Sequence, residues 1–109
     1  ASHCDGSSVS LMEALACGKP ALVSNIPGNL EWVHHGENGW LFQDGDVSGL
    51  ADAMVAVSRA PNLEEMGRKS RALAEEKADW SCNFAVLLQA YQKAVEWRTP
   101  ALEITERVK

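Results

Sequence analysis

Short apolar runs and polar turns follow one another along the first half of the chain. The stretch Val9–Ala16 is mostly apolar, holds no Gly or Pro, and is followed by Gly18, which predicts a helix ended by a glycine. Residues 20–23 and 40–42 are apolar runs whose length and lack of alternation are typical of buried parallel strands. We also expect Asn29 to cap a short helix between these strands.

The second half of the chain repeats apolar residues every three or four positions, the spacing of amphipathic helices. One helix is predicted over about residues 47–59, with Asp46 as its N-cap, and a second over about residues 62–78. A third is predicted to be capped by Ser81 and interrupted by Pro100.

Strands that alternate with helices predict an α/β fold with a short parallel sheet and a helix-rich C-terminal half. The two predicted strands are few, because open α/β sheets usually have about five or six. We therefore expect the chain to be a piece of a larger domain.

The charge distribution narrows the function classes. The chain has ten Lys and Arg and fifteen Asp and Glu, for a net charge of −5. Lys19 is the only Lys or Arg before Arg59. A nucleic-acid binder needs cations clustered on one face, so we expect no nucleic-acid partner.

The cysteines indicate the compartment. Cys4, Cys17 and Cys82 are odd in number and form no CxxC pair, which favours a reduced, cytoplasmic location with the thiols buried. Their spacing relative to His3 follows no standard ligand pattern, so we predict no metal site.

A Gly/Ser loop, residues 6–8, runs directly into the first predicted helix. Backbone N–H groups at a helix N-terminus can hold a phosphate without any side chain, although such loops also start helices that bind nothing. Asp5 begins the loop, and Glu13 lies in the apolar stretch of the helix, where we expect it to be buried or half-buried. The cost of burying a carboxylate there is offset when it accepts hydrogen bonds from donors such as ribose hydroxyls.

These residues resemble the nucleotide-sugar motif of GT-B glycosyltransferases of group 1, family GT4. Residues 5–20 have an acidic residue, a glycine-containing loop, a Glu eight positions on, and then an A-x-A-C-G-K-P-like run. Residues 28–33 are similar to the family's G-x-x-E-x-V segment, and residues 36–42 to its G-x-N-G-x-L-x segment. Trp80-Ser81 matches the W-S that precedes the family's last helix.

The resemblance implies a retaining transferase that moves a sugar from a nucleotide sugar to an acceptor without a metal or other cofactor. Glu13 would bind the donor ribose, and Asp5 would contact the transferred sugar. Four residues would offer backbone N–H groups to the diphosphate and the donor sugar: Gly6, Ser7, Ser8 and Val9. Asp5 stands where the family has Glu, and Ser7-Ser8 where it has an aromatic residue or Gly followed by Gly. If Ser8 had to adopt a positive φ, it would be strained.

The resemblance also implies a partial Rossmann-like (GT-B C-terminal) domain. Residues 1–98 would be the C-terminal portion of the nucleotide-sugar-binding domain, and residues 99–109 a tail or short helix. The family draws a basic pair and an acceptor domain from upstream segments, so we expect the isolated chain to be inactive. The full-length enzyme would be cytoplasmic, with a membrane-peripheral location as the alternative.

Two other functions stay open. A non-enzymatic gene fragment would fold and self-associate, forming a homodimer through its incomplete sheet. A flavodoxin-like module would bind a small phosphorylated ligand with the same loop, but this alternative gives no role to Glu13.

Overall fold

The helices and strands are described in a computed structural model that gives the backbone of residues 2–107 and the side chains of residues 2–98. They follow the order α1 (Val9–Ala16), β1 (Ala21–Ser24), α2 (Pro27–Leu30), β2 (Gly39–Phe42), α3 (Val47–Ser58), α4 (Leu63–Lys77) and α5 (Trp80–Arg107). The chain divides into two units, Ala1–Ala78 and Asp79–Lys109. The predicted division into residues 1–98 and 99–109 stays a prediction.

The two predicted strands are confirmed, and they pair in parallel. Ala21 lies opposite Gly39, and Ser24 lies opposite Phe42. The pairing needs a glycine at its start, because a Cβ on Gly39 would lie 2.2 Å from the carbonyl oxygen of Ala21. Parallel pairing brings the carboxyl ends of both strands to the same edge of the sheet.

The hydrophobic core lies where α1 meets the sheet and α4. Its buried side chains come from α1, from the turn after α2, and from α4: Leu11, Leu15, Trp32, Val33 and Ala74. Leu15 is fully buried, and Ala21, Val23 and Leu41 of the strands pack against this cluster. Burying a Leu side chain stabilises a fold by about 1.5–3 kcal/mol, so α1 is held against α4 and the sheet chiefly by its apolar face.

Buried polar side chains tie the turns to the core. Asn38 donates its amide to the carbonyl oxygen of Trp32 at 2.8 Å and accepts from the backbone N–H of His34 at 2.7 Å. The Asn38 carbonyl oxygen accepts from Ser70 Oγ of α4 at 3.1 Å. Within the side chains that the structure describes, every buried nitrogen or oxygen has a partner. The turn before β2 is therefore held in place by hydrogen bonds as well as by packing.

Two of the predicted caps are wrong and one is confirmed. Asp46 caps α3, because its Oδ1 accepts from the N–H of Gly49 at 2.8 Å. Asn29 lies inside α2 rather than at its start, and its buried amide donates to the carbonyl oxygen of Ser24 at 2.9 Å. Ser81 lies within α5, and Asp79 caps that helix by accepting from the N–H of Cys82 at 3.1 Å. Asn and Ser side chains also form hydrogen bonds outside helix caps, so the residue type alone does not show which position caps a helix.

The helices predicted over about residues 47–59 and 62–78 are confirmed by α3 and α4, with ends that agree to within one residue. The expected interruption at Pro100 is not present, since α5 continues to Arg107. A proline removes one backbone hydrogen bond and bends a helix without having to end it.

The expectation of buried thiols is also wrong. Cys4, Cys17 and Cys82 are all exposed. They lie in the loop before α1, at the C-cap of α1 and in the first turn of α5, and the ends of elements are more accessible than their centres.

The second unit is a single long helix, α5. The apolar residues that recur every three or four positions along this helix are exposed: Phe84, Leu87, Leu88, Tyr91 and Val95. The rings of Trp80 and Phe84 contact each other with centroids 5.4 Å apart. Among the helices that the structure describes, none is both long and apolar enough to cross a membrane.

A close approach of two backbones predicts the effect of substituting Gly67. A Cβ at Gly67 would lie 2.2 Å from the carbonyl oxygen of Gly18, so α4 would have to move away from the end of α1. We expect Gly67→Ala to lower the free energy of unfolding by about 1–3 kcal/mol. Thermal unfolding measures the loss, at about 4–8 °C per kcal/mol for a domain of this size.

Helix propensity alone predicts the opposite change, a gain in stability for Gly67→Ala. In an exposed helix interior Gly→Ala stabilises by about 1 kcal/mol, so a rise in Tm for Gly67→Ala would contradict the close approach. Ala72→Gly, at an exposed position of the same helix, calibrates the propensity contribution.

Candidate functional site

The loop that precedes α1, here called the N-terminal loop (residues 2–8), begins at the carboxyl ends of the two strands. Ser24 Oγ, at the end of β1, donates to the carbonyl oxygen of Ser2 at 2.6 Å. His3 Nδ1 lies 2.6 Å from Asp44 Oδ1, just beyond the end of β2. Open α/β sheets bind their ligands at this edge, so the loop lies where the fold class places a site.

The rest of the N-terminal loop contacts the α2 segment (residues 27–32). Gly28 lies directly against the loop backbone, since a Cβ there would be 2.3 Å from the carbonyl oxygen of Gly6 and 2.5 Å from that of Asp5. The indole Nε1–H of Trp32 donates to Ser7 Oγ at 3.1 Å. One side of the loop is thus held by a backbone contact and a side-chain hydrogen bond.

The start of α1 is open to a ligand. Ser8 is the N-cap residue, but it makes no side-chain capping bond, and its Oγ lies instead 3.0 Å from Ser10 Oγ. The first turn carries no acidic side chain. The N–H groups of the first turn are therefore not satisfied by a cap, and together with the positive end of the helix they suit an anion.

The strain anticipated at Ser8 does not arise. Ser8 has φ −67° and ψ 124°, which is extended backbone that any residue adopts. Within the described residues no residue other than glycine has a positive φ. Serine at this position therefore leaves the loop conformation unstrained.

The expectation that Glu13 is buried or half-buried is wrong. Leu11 and Leu15 take the buried face of α1, and Glu13, which lies between them in sequence, is exposed on another face. A helix turns by 100° per residue, so a position two residues from each of these leucines points away from the core. Asp5 is exposed as well, and neither carboxylate forms an ion pair within residues 2–98. Both carboxylates are accessible to a ligand.

A cavity of about 270 Å³ opens beside the helix start, between α1 and β1. Its lining includes side chains from the loop, α1 and α2: Ser2, Ser8, Ser10, Ala14 and Asn29. Serine hydroxyls both donate and accept hydrogen bonds, so this wall of the cavity suits a polar ligand.

Some features of the site were not predicted from the sequence. The His3–Asp44 pair and the Trp32–Ser7 bond join residues 41 and 25 positions apart, and no local pattern signals either contact. Trp32 packs in the core, as an aromatic residue commonly does, but its hydrogen bond to the loop follows from no sequence pattern. In the described part of the chain no group of three or more His, Cys, Asp or Glu side chains could hold a metal ion.

Comparison with protein families matches residues 1–75 to the model described as "Glycosyl transferases group 1". The match covers the N-terminal loop, both strands and most of α4.

Individual relatives agree with this match. The chain is 34% identical over 68 residues to N-acetyl-alpha-D-glucosaminyl L-malate synthase of Bacillus anthracis, a stretch covering 62% of this chain and 18% of the relative. It is 34% identical over 82 residues to phosphatidyl-myo-inositol mannosyltransferase of Mycobacterium leprae, covering 75% of this chain and 22% of the relative. The chain thus spans about a fifth of the length of these curated relatives.

Two solved structures share the fold. HepE of Anabaena, in complex with UDP, superposes with a TM-score of 0.73 at 22% identity, over 82% of this chain and 25% of that one. Sucrose-phosphate synthase of Thermosynechococcus elongatus superposes with a TM-score of 0.74 at 23% identity, over 82% of this chain and 23% of that one. These likenesses confirm the predicted fold class, a partial Rossmann-like domain of the GT-B kind with a short parallel sheet and a helix-rich C-terminal half.

The contact of Gly28 with the N-terminal loop gives a second prediction. Gly28→Ala places a methyl group against the carbonyl oxygens of Asp5 and Gly6, so the loop must move. We expect the amide resonances of residues 5–8 to shift in ¹H–¹⁵N spectra, while those of α4 stay in place. Gly6→Ala is the matched control, because a Cβ on Gly6 meets nothing within 4 Å. Since Gly6→Ala also alters the shifts of its immediate neighbours, the two variants are compared by Tm: Gly28→Ala should lower the Tm and Gly6→Ala should not, and equal Tm values would contradict the contact.

Proposed function

The chain belongs to the group 1 glycosyltransferases, and we propose that it forms the donor-binding segment of a retaining, GT4-type enzyme that transfers a sugar from a nucleotide sugar. The observation that carries the proposal is the open start of α1, where an uncapped helix N-terminus lies at the carboxyl edge of the parallel sheet. The UDP bound to HepE, whose fold is similar, supports a nucleotide as the ligand.

In the proposed complex the diphosphate lies at the start of α1. The N–H groups of four residues bind it and the donor sugar: Gly6, Ser7, Ser8 and Val9. These groups belong to a loop already held by the strands and the α2 segment, so they need little ordering when the ligand arrives.

The two carboxylates take separate roles in the proposal. Glu13, one and a half turns into α1, accepts hydrogen bonds from the two ribose hydroxyls of the donor. Asp5, at the start of the loop, contacts the transferred sugar. The exposure of both side chains supports these roles, because a ligand can reach them without unfolding the core.

The chemistry follows from where charge develops. As the bond between the sugar and the diphosphate breaks, negative charge grows on the diphosphate oxygens. Backbone N–H groups and a helix dipole that already point at this position stabilise the charge without reorganisation. We assign no metal and no other cofactor to this step.

Other parts of a longer protein complete the site in this proposal. Lys19, the only cation before Arg59, precedes β1 and so lies at the opposite end of the strand from the N-terminal loop. The cations that meet the diphosphate, and the acceptor domain, are therefore assigned to segments outside this chain. Alone, the chain binds nucleotide weakly and does not transfer sugar. We place the full-length enzyme in the cytoplasm, with association at a membrane surface or between two copies as further predictions.

Titration of the chain with UDP, GDP and ADP and their sugars tests the proposal. We expect weak binding of at least one nucleotide, and Glu13→Ala should raise its Kd by about ten- to hundredfold, the value of a hydrogen bond to a charged group. Calorimetry or NMR measures the change. Glu76→Ala, which removes an exposed carboxylate of α4, is the control for net charge. Binding that is insensitive to Glu13→Ala would show that the ribose assignment is wrong.

A further inference from the structure

We propose that Trp32 is a positioning residue of this site, and that its indole N–H, donated to Ser7 Oγ, holds the N-terminal loop in the geometry that receives a nucleoside diphosphate. The inference rests on the proposed function, because the loop needs a fixed geometry only if it binds the donor. It concerns a bond between two side chains of this chain: the family resemblance gives Trp32 no role and gives Ser7 a role only through its backbone N–H.

Trp32 is itself firmly anchored. It is 6% exposed and packs in the core with Leu11 and Leu15 of α1. Its backbone carbonyl oxygen accepts from Asn38 Nδ2 at 2.8 Å, and its backbone N–H donates to the carbonyl oxygen of Asn29 at 3.0 Å. Ring and backbone are thus both fixed, so the indole N–H is a donor with a defined position.

The acceptor of this bond lies in the binding loop. Ser7 is exposed and immediately precedes Ser8, the N-cap of α1. The 3.1 Å bond from Trp32 Nε1 joins it to the core across 25 sequence positions. The peptide groups on either side of Ser7 are those assigned to the diphosphate, so fixing this side chain fixes their direction.

The bond completes a set of contacts along the loop. Ser24 holds the carbonyl of Ser2, Gly28 lies against Asp5 and Gly6, and Trp32 holds Ser7. Gly28 limits the approach of the loop but does not prevent it from lifting away, whereas a hydrogen bond resists that motion. A loop held in its bound geometry needs less ordering on binding, and its N–H groups already converge on the anion.

The indole bond can be separated from core packing. Trp32→Phe keeps an aromatic ring in the core and removes the N–H donor. Ser7→Ala removes the acceptor from the other side, at an exposed position where no core contact is lost. Loss of stability in Trp32→Phe alone therefore does not decide the question, because Ser7→Ala tests the same bond without disturbing the core.

The experiment is a double-mutant cycle on the full chain with UDP as the probe. The Kd for UDP is measured by NMR titration for the unaltered chain, Ser7→Ala, Trp32→Phe and the double variant, with Tm measured alongside. Each single change should raise Kd by about three- to tenfold, the value of one hydrogen bond. The double variant should be no weaker than the weaker single variant, because both changes remove the same bond.

Two controls match these variants in chemistry. Trp97→Phe alters a tryptophan that is 90% exposed on α5, and Ser58→Ala removes a hydroxyl at the end of α3. Both should leave the Kd for UDP unchanged. In the ligand-free chain, the indole N–H of Trp32 should exchange with solvent faster in Ser7→Ala than in the unaltered chain. The Tm of Ser7→Ala should fall by no more than about 4–8 °C, because only one hydrogen bond is lost.

The outcomes distinguish this inference from the proposed function. UDP binding that depends on Glu13 but is unchanged in Ser7→Ala would overturn the role of Trp32 and leave the proposed function standing. Additive effects of the two substitutions would overturn it as well, because they would act through different contacts. Failure of the unaltered chain to bind UDP would overturn this inference, and failure to bind UDP, GDP and ADP alike would overturn the proposed function as well.

Discussion

The geometry of the candidate site depends on the contact between the α2 segment and the N-terminal loop. At Gly28 two stretches of backbone meet without a side chain between them, and a Cβ there would lie 2.3 Å from a loop carbonyl. Nearby, the buried amide of Asn29 holds the end of β1, and Ser24 of that strand holds the first residues of the loop. Loops are commonly the mobile parts of a fold, and here the core itself fixes the N-terminal loop.

The local parts of the fold could be predicted from the sequence because they depend on neighbouring residues. The apolar runs that became β1 and β2, the glycine after α1 and the cap at Asp46 are all of this kind. The predictions for Asn29 and Ser81 were wrong because a polar residue near a helix start can be used elsewhere. Asn29 donates to the carbonyl oxygen of Ser24 across the turn, and the periodicity of the sequence does not show that this carbonyl needs a partner.

In the candidate site, too, the features set by neighbouring residues could be predicted and the contacts between distant residues could not. The loop, the helix start and the carboxylates could be predicted from a contiguous stretch of residues, and the structure places the loop at the carboxyl edge of the sheet. The exposure of Glu13 was not predicted, because an apolar sequence environment does not specify which face of α1 packs. The contacts of Trp32 and Gly28 with the loop join residues far apart in sequence and require the fold.

In the proposed function, the start of α1 receives the diphosphate of a nucleotide. The most direct measurement is a residue-resolved map of amide ¹H–¹⁵N shifts as UDP is added to the chain. The prediction is that the largest changes fall on the N–H groups of Gly6, Ser7, Ser8 and Val9, at the uncapped helix end. Changes that left these four amides in place and fell on α4 or α5 instead would contradict it.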